Sequence, residues 1–260
     1  MIVVVLEWLL QTIGKVLAVT AGLWLYKEVT MGICRTTKDL TGKVAVVTGA
    51  SAGLGLQTTL LLAKKGCRVI LGCRNLAKAQ QAVQYVKSKE PGAELEIVEL
   101  QLAKLKSVKR FADEVARLTD EVHLLVNNAG VFYIEEEKLG QALKKHTEDG
   151  LELAVGTNFF GHVYLSNCLM KLLRNGGKDD DPSRIINLSS FGHMQGKLNA
   201  EDLDLNANQR LFDPSYQYCA SKMAIIQWSN KLAKELVDSN VISVSVNPGI
   251  NHSHENYILS

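Results

Sequence analysis

Beyond Thr41 the chain alternates short aliphatic runs with amphipathic stretches, and this alternation narrows the possible folds more than any other feature. The runs "KVAVVTG" (43–49), "CRVILGC" (67–73), "AELEIVEL" (93–100), "VHLLVNN" (122–128), "RIINLSS" (184–190) and "VISVSVN" (241–247) read as strands. Between them, residues 55–66, 75–89, 107–118, 148–174 and the stretch from Asp213 to Leu236 read as helices. Parallel strands need crossover connections, so a helix between successive strands implies a doubly wound α/β fold, a parallel sheet with helices on both faces. No internal repeat or linker interrupts the pattern after Thr41.

Composition excludes several alternatives. With 260 residues, 47% apolar, 22% charged and 4 prolines, the chain can bury a full core and is not a low-complexity sequence. A net charge of +2 argues against a nucleic-acid surface. The 5 cysteines include no C-x-x-C pair, so neither a disulfide framework nor a zinc site is indicated, and a reducing compartment fits. His193, His252 and His254 have no third ligand at metal spacing, and no metal is expected.

Residues 1–41 form a separate region, an amino-terminal hydrophobic anchor and linker ahead of a domain over 42–260. The stretch from Ile2 to Tyr26 is long enough to cross a bilayer as a helix, interrupted only by Glu7, Gln11 and Lys15. Their i, i+4, i+8 spacing makes one narrow polar stripe, compatible with a spanning helix or one lying in the interface. A cleaved signal peptide would need a basic leading segment, which is missing. Lys27, Arg35, Lys38 and Lys43 follow the stretch, so the positive-inside bias places the domain on the cytoplasmic side.

"TGASAGLG" (48–55) joins the first strand to the first helix. Gly49, Gly53 and Gly55 allow a sharp turn and a close backbone approach, which suits a pyrophosphate at the positive end of a helix in a Rossmann-type fold. Tyr218 and Lys222, four apart in "YCASK", share one helix face, whereas Tyr216 has Ala220 at that spacing. The same Tyr-to-Lys spacing recurs at Tyr85 and Lys89 with nothing else around it.

These residues together resemble the short-chain dehydrogenase/reductase family. Besides the glycine loop, the resemblance rests on "NNAG" (127–130), Asn158 in "VGTNFFGH", Ser190 ending "NLSS", Tyr218 with Lys222, and "NPG" (247–249). It covers about 42–250, in the family's order. It is closest to retinol dehydrogenase-like members, through "GCRN", "TEDGLEL", the insertion containing "LNAEDLDLN" and the hydrophobic amino terminus.

The resemblance implies a catalytic group of Asn158, Ser190, Tyr218 and Lys222. Tyr218 would exchange a proton with the substrate oxygen, Lys222 would lower its pKa and hold the nicotinamide ribose, Ser190 would bond the substrate oxygen, and Asn158 would support a relay water. Ser189 is the alternative serine, but Ser190 is the one followed by "FG". Cofactor contacts would come from Gly49, Ser51, Ala52, Gly53, Leu54, Gly55, Arg74, Gln101, Asn128, Tyr218, Lys222, Pro248 and Gly249. Arg74 stands where an NAD enzyme usually has an acid, and its planar donors suit a 2′-phosphate, so NADP(H) is favoured. The subgroup implies a lipophilic alcohol or carbonyl substrate, retinoid- or steroid-like, an endoplasmic-reticulum membrane and a homodimer.

Two departures from the family pattern stand out. Gln101 replaces the usual aspartate near the adenine, and its amide can still donate and accept. Only 11 residues follow Gly249, too few for the family's last helix and seventh strand, which are therefore expected to be lacking. Two expectations follow: an active oxidoreductase, or a membrane-attached nucleotide- or partner-binding protein without turnover.

Overall fold

The computed structural model describes residues 2–30, 36–132, 146–199 and 214–249. The inserted stretch from 200 onward, Asn251, His252 and His254 lie outside the described residues. The chain divides into two compact units, Met1–Lys38 and Asp39–Ser260.

In the first unit, helix α1 spans Ile2–Thr30, about 43 Å at 1.5 Å per residue. Its Leu17, Leu23 and Trp24 are more than half exposed. Among the described residues, no helix is long and apolar enough to cross a membrane.

The second unit is built on a six-stranded sheet of order β3-β2-β1-β4-β5-β6. The strands are β1 (Val44–Thr48), β2 (Arg68–Cys73), β3 (Leu95–Glu99), β4 (Leu124–Asn127), β5 (Ser183–Leu188) and β6 (Val241–Val246). Every pairing is parallel, as the alternation requires. Helices α2 (Gly53–Ala63), α3 (Leu76–Lys89), α4 (Leu105–Leu118), α5 (Leu153–Val155), α6 (Gly161–Gly176) and α7 (Pro214–Glu235) make the crossovers.

Strand β1 shows why both sheet faces are covered. Val44 and Val46 enter one core with Phe111, Leu165, Leu169 and Leu232, from α4, α6 and α7. Ala45 and Val47 enter the other with Leu71, Ala79 and Val83, toward α3. Alternate side chains of a strand point to opposite faces, so a central strand buried on both reads as a continuous apolar run.

One helix departs from expectation. The stretch 148–174 is not a single helix but α5, a π-helical turn over Gly156–Phe160, and α6. Gly150, at φ 81°, belongs to a turn closed by Gly150 N–H to Thr147 O at 3.1 Å, which delays the start of the helix. Glu152 caps it instead, accepting from Ala154 N–H at 3.0 Å and Val155 N–H at 2.8 Å. In the π turn the Gly161 N–H reaches back to Gly156 O, and such bulges recur at functional sites.

The strand order reverses between β1 and β4, and β1 lies beside both β2 and β4. In open parallel sheets ligands bind outside the carboxyl ends of the strands at such a switch point. The loop after β1, Arg74 after β2, Gln101 after β3, Asn128 after β4, Ser190 after β5 and Pro248–Gly249 after β6 all lie at that end.

Candidate active site

The β1–α2 turn is a cradle that side chains would fill. A Cβ on Gly55 would overlap the Gly49 carbonyl oxygen and the Asn128 amide, and Gly49 itself sits at φ 64° against Ala129. Ala52 begins α2 in an extended conformation with no side-chain cap, so the first N–H groups of the helix have no capping side chain. Ser51, Ala52, Gly53 and Leu54 line this turn, half-buried. An anion at an uncapped helix start, approached closely by glycine backbone, is what this geometry suits.

Asn128 braces the cradle from behind. Its Nδ2 donates to Thr48 O at 2.8 Å and to Gly49 O at 3.4 Å. The Thr48 hydroxyl accepts the N–H groups of Asn128 and Ala129, each at 2.9 Å.

Arg74 is exposed at the end of β2 and makes no hydrogen bond or ion pair with the described residues. Gln101 is half-buried, and its Nε2 is engaged by Glu99 Oε1 at 2.7 Å. After β6, the Gly249 N–H donates to Asn247 Oδ1 at 3.1 Å, and Gly249 adopts φ 75°.

The four polar residues expected to act together belong to three neighbouring elements. Tyr218 and Lys222 share a face of α7, and the Lys222 ammonium is 5.6 Å from the centre of the Tyr218 ring. Lys222 Nζ donates to Leu188 O, at the end of β5, at 2.9 Å. Burial lowers the Lys222 amine to about 8. Phe132 packs edge-on against Tyr218 with ring centres 5.1 Å apart at 85°.

Hydrogen bonding separates the two serines. Ser189 is buried and donates to Lys222 O at 3.0 Å, which ties β5 to α7. Ser190 is half-buried, and its Oγ accepts the Gly192 N–H at 3.3 Å, so the hydroxyl proton is not consumed by that bond. Tyr216 points away, its hydroxyl near Lys197 O at 3.4 Å, and Cys219 is buried.

Asn158 is a clamp. Its Oδ1 accepts the Val131 N–H at 2.8 Å, while its Nδ2 donates to Val131 O at 3.0 Å and to Ser221 Oγ at 3.1 Å. Ser221 Oγ in turn donates to Tyr218 O at 2.7 Å. The side chain thus joins the segment after β4 to the helix carrying Tyr218.

Sequence reasoning did not single out Thr48, Phe132, His162 or Ser221. Thr48, His162 and Ser221 stand inside the quoted motifs, and His162 is one helical turn beyond Asn158, which was the available signal. Nothing local marks Phe132. A separate polar hollow, lined by Arg174, Asp179, Glu235 and Asp238, adjoins the amino ends of β5 and β6, far along the strands from this group.

The sequence matches the family model described as short chain dehydrogenase over residues 43–201. The chain belongs to the short-chain dehydrogenase family. It is 37% identical over 227 residues to retinol dehydrogenase 11 of Mus musculus, covering 87% of this chain and 67% of that one. To retinol dehydrogenase 13 of Mus musculus it is 36% identical over 242 residues, 93% of this chain and 68% of the relative. The matched segment thus spans about two thirds of these relatives' length. Among solved structures, a Mycobacterium paratuberculosis protein superposes with a TM-score of 0.69 at 31% identity, covering 83% of this chain and 71% of the other. The RhlG/NADP active-site complex of Pseudomonas aeruginosa superposes with a TM-score of 0.64 at 25% identity, covering 83% and 74%.

The chain is thus related to retinol dehydrogenases and has the fold and motifs of an NAD(P)-dependent oxidoreductase.

Proposed function

We propose that this protein is an NADP(H)-dependent oxidoreductase that moves a hydride between nicotinamide and a lipophilic alcohol or carbonyl compound, retinoid- or steroid-like. The observation that carries the reading is the buried Lys222 ammonium held beside Tyr218 by the Leu188 carbonyl. The names of its relatives, retinol dehydrogenases, support the substrate class. Arg74, exposed after β2 and engaging none of the described residues, supports NADP(H), since a guanidinium matches a 2′-phosphate in charge and shape.

The residues present fit the dinucleotide: the glycine cradle and uncapped α2 would hold the pyrophosphate, and Lys222 the ribose. Bound nicotinamide supplies or accepts the hydride. In the reducing direction Tyr218 gives its phenolic proton to the substrate oxygen, and in oxidation it takes that proton back. An unperturbed phenol is a poor base at neutral pH, so the Lys222 cation favours the phenolate. Ser190, its Oγ already accepting from Gly192, donates its proton to the substrate oxygen. Asn158 keeps the segment after β4 and the Tyr218 helix in register.

The apolar side chains exposed along α1, among them Leu17, Leu23 and Trp24, support attachment to a membrane. The domain would then face the cytoplasm at the endoplasmic reticulum, where lipophilic substrates partition. A homodimer through the surfaces of α6 and α7 completes the proposal.

The test is NADPH oxidation by the full chain in liposomes with retinal and with a steroid ketone. Turnover with NADPH in preference to NADH, lost in Tyr218→Phe, supports the reading. NADPH binding without turnover of either carbonyl rejects it. Flotation with the liposomes, lost in a Leu17→Glu, Trp24→Glu variant, tests the attachment, and light scattering of the detergent-solubilised chain reads the dimer.

A further inference from the structure

His162 is a buried histidine that the proposed chemistry leaves unused. Its Nδ1 lies 2.8 Å from the main-chain oxygen of Asn158, and its Nε2 lies 3.0 Å from the Thr48 hydroxyl. One ring therefore spans the distance from the π turn carrying Asn158 to the last residue of β1, where the cofactor cradle begins.

Proton accounting fixes the tautomer. A carbonyl oxygen only accepts, so Nδ1 must carry the hydrogen that reaches Asn158 O. Both lone pairs of Thr48 Oγ1 are taken by the N–H groups of Asn128 and Ala129, so its hydrogen is left to point outward. The nearest acceptor for it is His162 Nε2 at 3.0 Å, ahead of Val126 O at 3.4 Å. Two independent constraints thus require the same neutral, Nδ1-protonated ring. An imidazolium would aim a second N–H at an oxygen that has no acceptor capacity left. Burial agrees, since it lowers the ring's pKa to about 4.

We propose that His162 is a positioning residue that couples the catalytic group to the cofactor cradle, holding the Asn158 carbonyl with one nitrogen and the Thr48 hydroxyl with the other. Through Asn158 the link continues to Val131 and, by Ser221, to Tyr218. Through Thr48 it continues to the NNAG backbone and to Asn128, which braces Gly49. A shift at either end is transmitted by one rigid ring. The inference rests on the oxidoreductase reading for its catalytic half, while its cofactor half stands on the cradle geometry alone.

Two substitutions separate the halves. The amide nitrogen of His162→Asn falls near the Nδ1 position and keeps the Asn158 bond while losing Thr48. The amide of His162→Gln reaches near the Nε2 position and keeps Thr48 while releasing Asn158. His162→Asn should weaken NADPH binding roughly tenfold with the smaller change in kcat, the scale of one buried hydrogen bond. His162→Gln should lower kcat roughly tenfold with NADPH affinity within about twofold. Histidine ¹⁵N shifts of the cofactor-free wild-type chain should show the Nδ1–H neutral ring at pH 7.

Equal losses in both variants that follow their melting temperatures would reduce His162 to a packing residue and overturn the proposal, as would an Nε2–H ring or an imidazolium. If the wild-type chain binds NADPH but reduces no carbonyl, the oxidoreductase reading fails, and the affinity contrast between the two variants still decides the coupling. A wild-type chain that binds no NADPH overturns both.

Discussion

The Lys222 ammonium sits 5.6 Å from the centre of the Tyr218 ring while donating to the Leu188 carbonyl at 2.9 Å. Because the strand end fixes the cation, its effect on the phenol does not depend on a mobile side chain. Tyr218→Phe removes the exchangeable proton and leaves this anchor in place. Turnover should fall between about a hundredfold and ten-thousandfold, the usual worth of a positioned acid or base, with NADPH affinity nearly unchanged. Steady-state rates and a fluorescence titration on the same preparation check both halves.

Lys222 also leaves a signature in stability. Burial lowers its amine from 10.5 to about 8, so between those values the unfolded chain holds more protons than the folded one. Stability contributed by this group therefore rises with pH across that window and is lowest below it. The unfolding free energy of wild type relative to Lys222→Met should increase between pH 8 and pH 10, by at most about 3 kcal/mol. Urea denaturation of both proteins across that range reads the difference, and a flat difference would place the amine in water.

Gly55→Ala tests the cradle. The added methyl overlaps the Gly49 carbonyl and the Asn128 amide, both part of the braced turn, so neither can yield freely. Overpacking of this kind costs about 1–3 kcal/mol of stability. The displaced loop should also lower NADPH affinity by at least about tenfold, the loss of one charge-assisted hydrogen bond to a phosphate. Calorimetry gives the first and fluorescence titration the second.

Arg74 separates the two dinucleotides. It is exposed and engages no described residue, so its removal should leave the fold intact. Arg74→Ala should weaken NADPH binding by about tenfold to a hundredfold, the worth of hydrogen bonds to a charged group, and leave NADH binding unchanged. Parallel titrations with both cofactors decide it, and an equal effect on both would remove Arg74 from any role in the choice.

How much of this was legible in the sequence depended on range. The glycine loop and the Tyr218–Lys222 spacing are local, because a strand–turn–helix junction and one helical turn each fit inside a few residues. The doubly wound parallel sheet follows from alternation and a family likeness, whereas the strand order is fixed by pairings between distant segments. The break at Gly156–Phe160 was not legible, since it depends on a turn closed at Gly150, a cap at Glu152 and partners elsewhere in the fold. Ser189 and Ser190 are adjacent in sequence, where only the "FG" after Ser190 favours it, and the physical reason, the bond from Ser189 to the Lys222 carbonyl, lies across the β5–α7 contact. His162 is the extreme case: Thr48 is 114 residues away, so half of its role exists only after the sheet forms.

That buried ring should make the protein sensitive to acid in a defined window. His162 has a folded-state pKa of about 4 against 6.5 unfolded, through burial first and the Lys222 cation as well, with the Asn158 carbonyl acting in the opposite direction. Between these values the unfolded chain binds the extra proton, so the stability due to the neutral ring is complete above pH 6.5 and is lost as pH falls toward 4. The full loss is about 3 kcal/mol. His162→Gln has no proton to gain, so its stability should lack this component. At pH 7 wild type should exceed the variant most, and the gap should narrow steadily through pH 6 and pH 5 in urea melts. Other histidines and carboxyls titrate alike in both proteins and cancel in the difference. A gap that stays constant from pH 7 to pH 5 would mean that His162 titrates like an ordinary exposed ring, and the two-ended bond from Thr48 to Asn158 would lose its energetic basis.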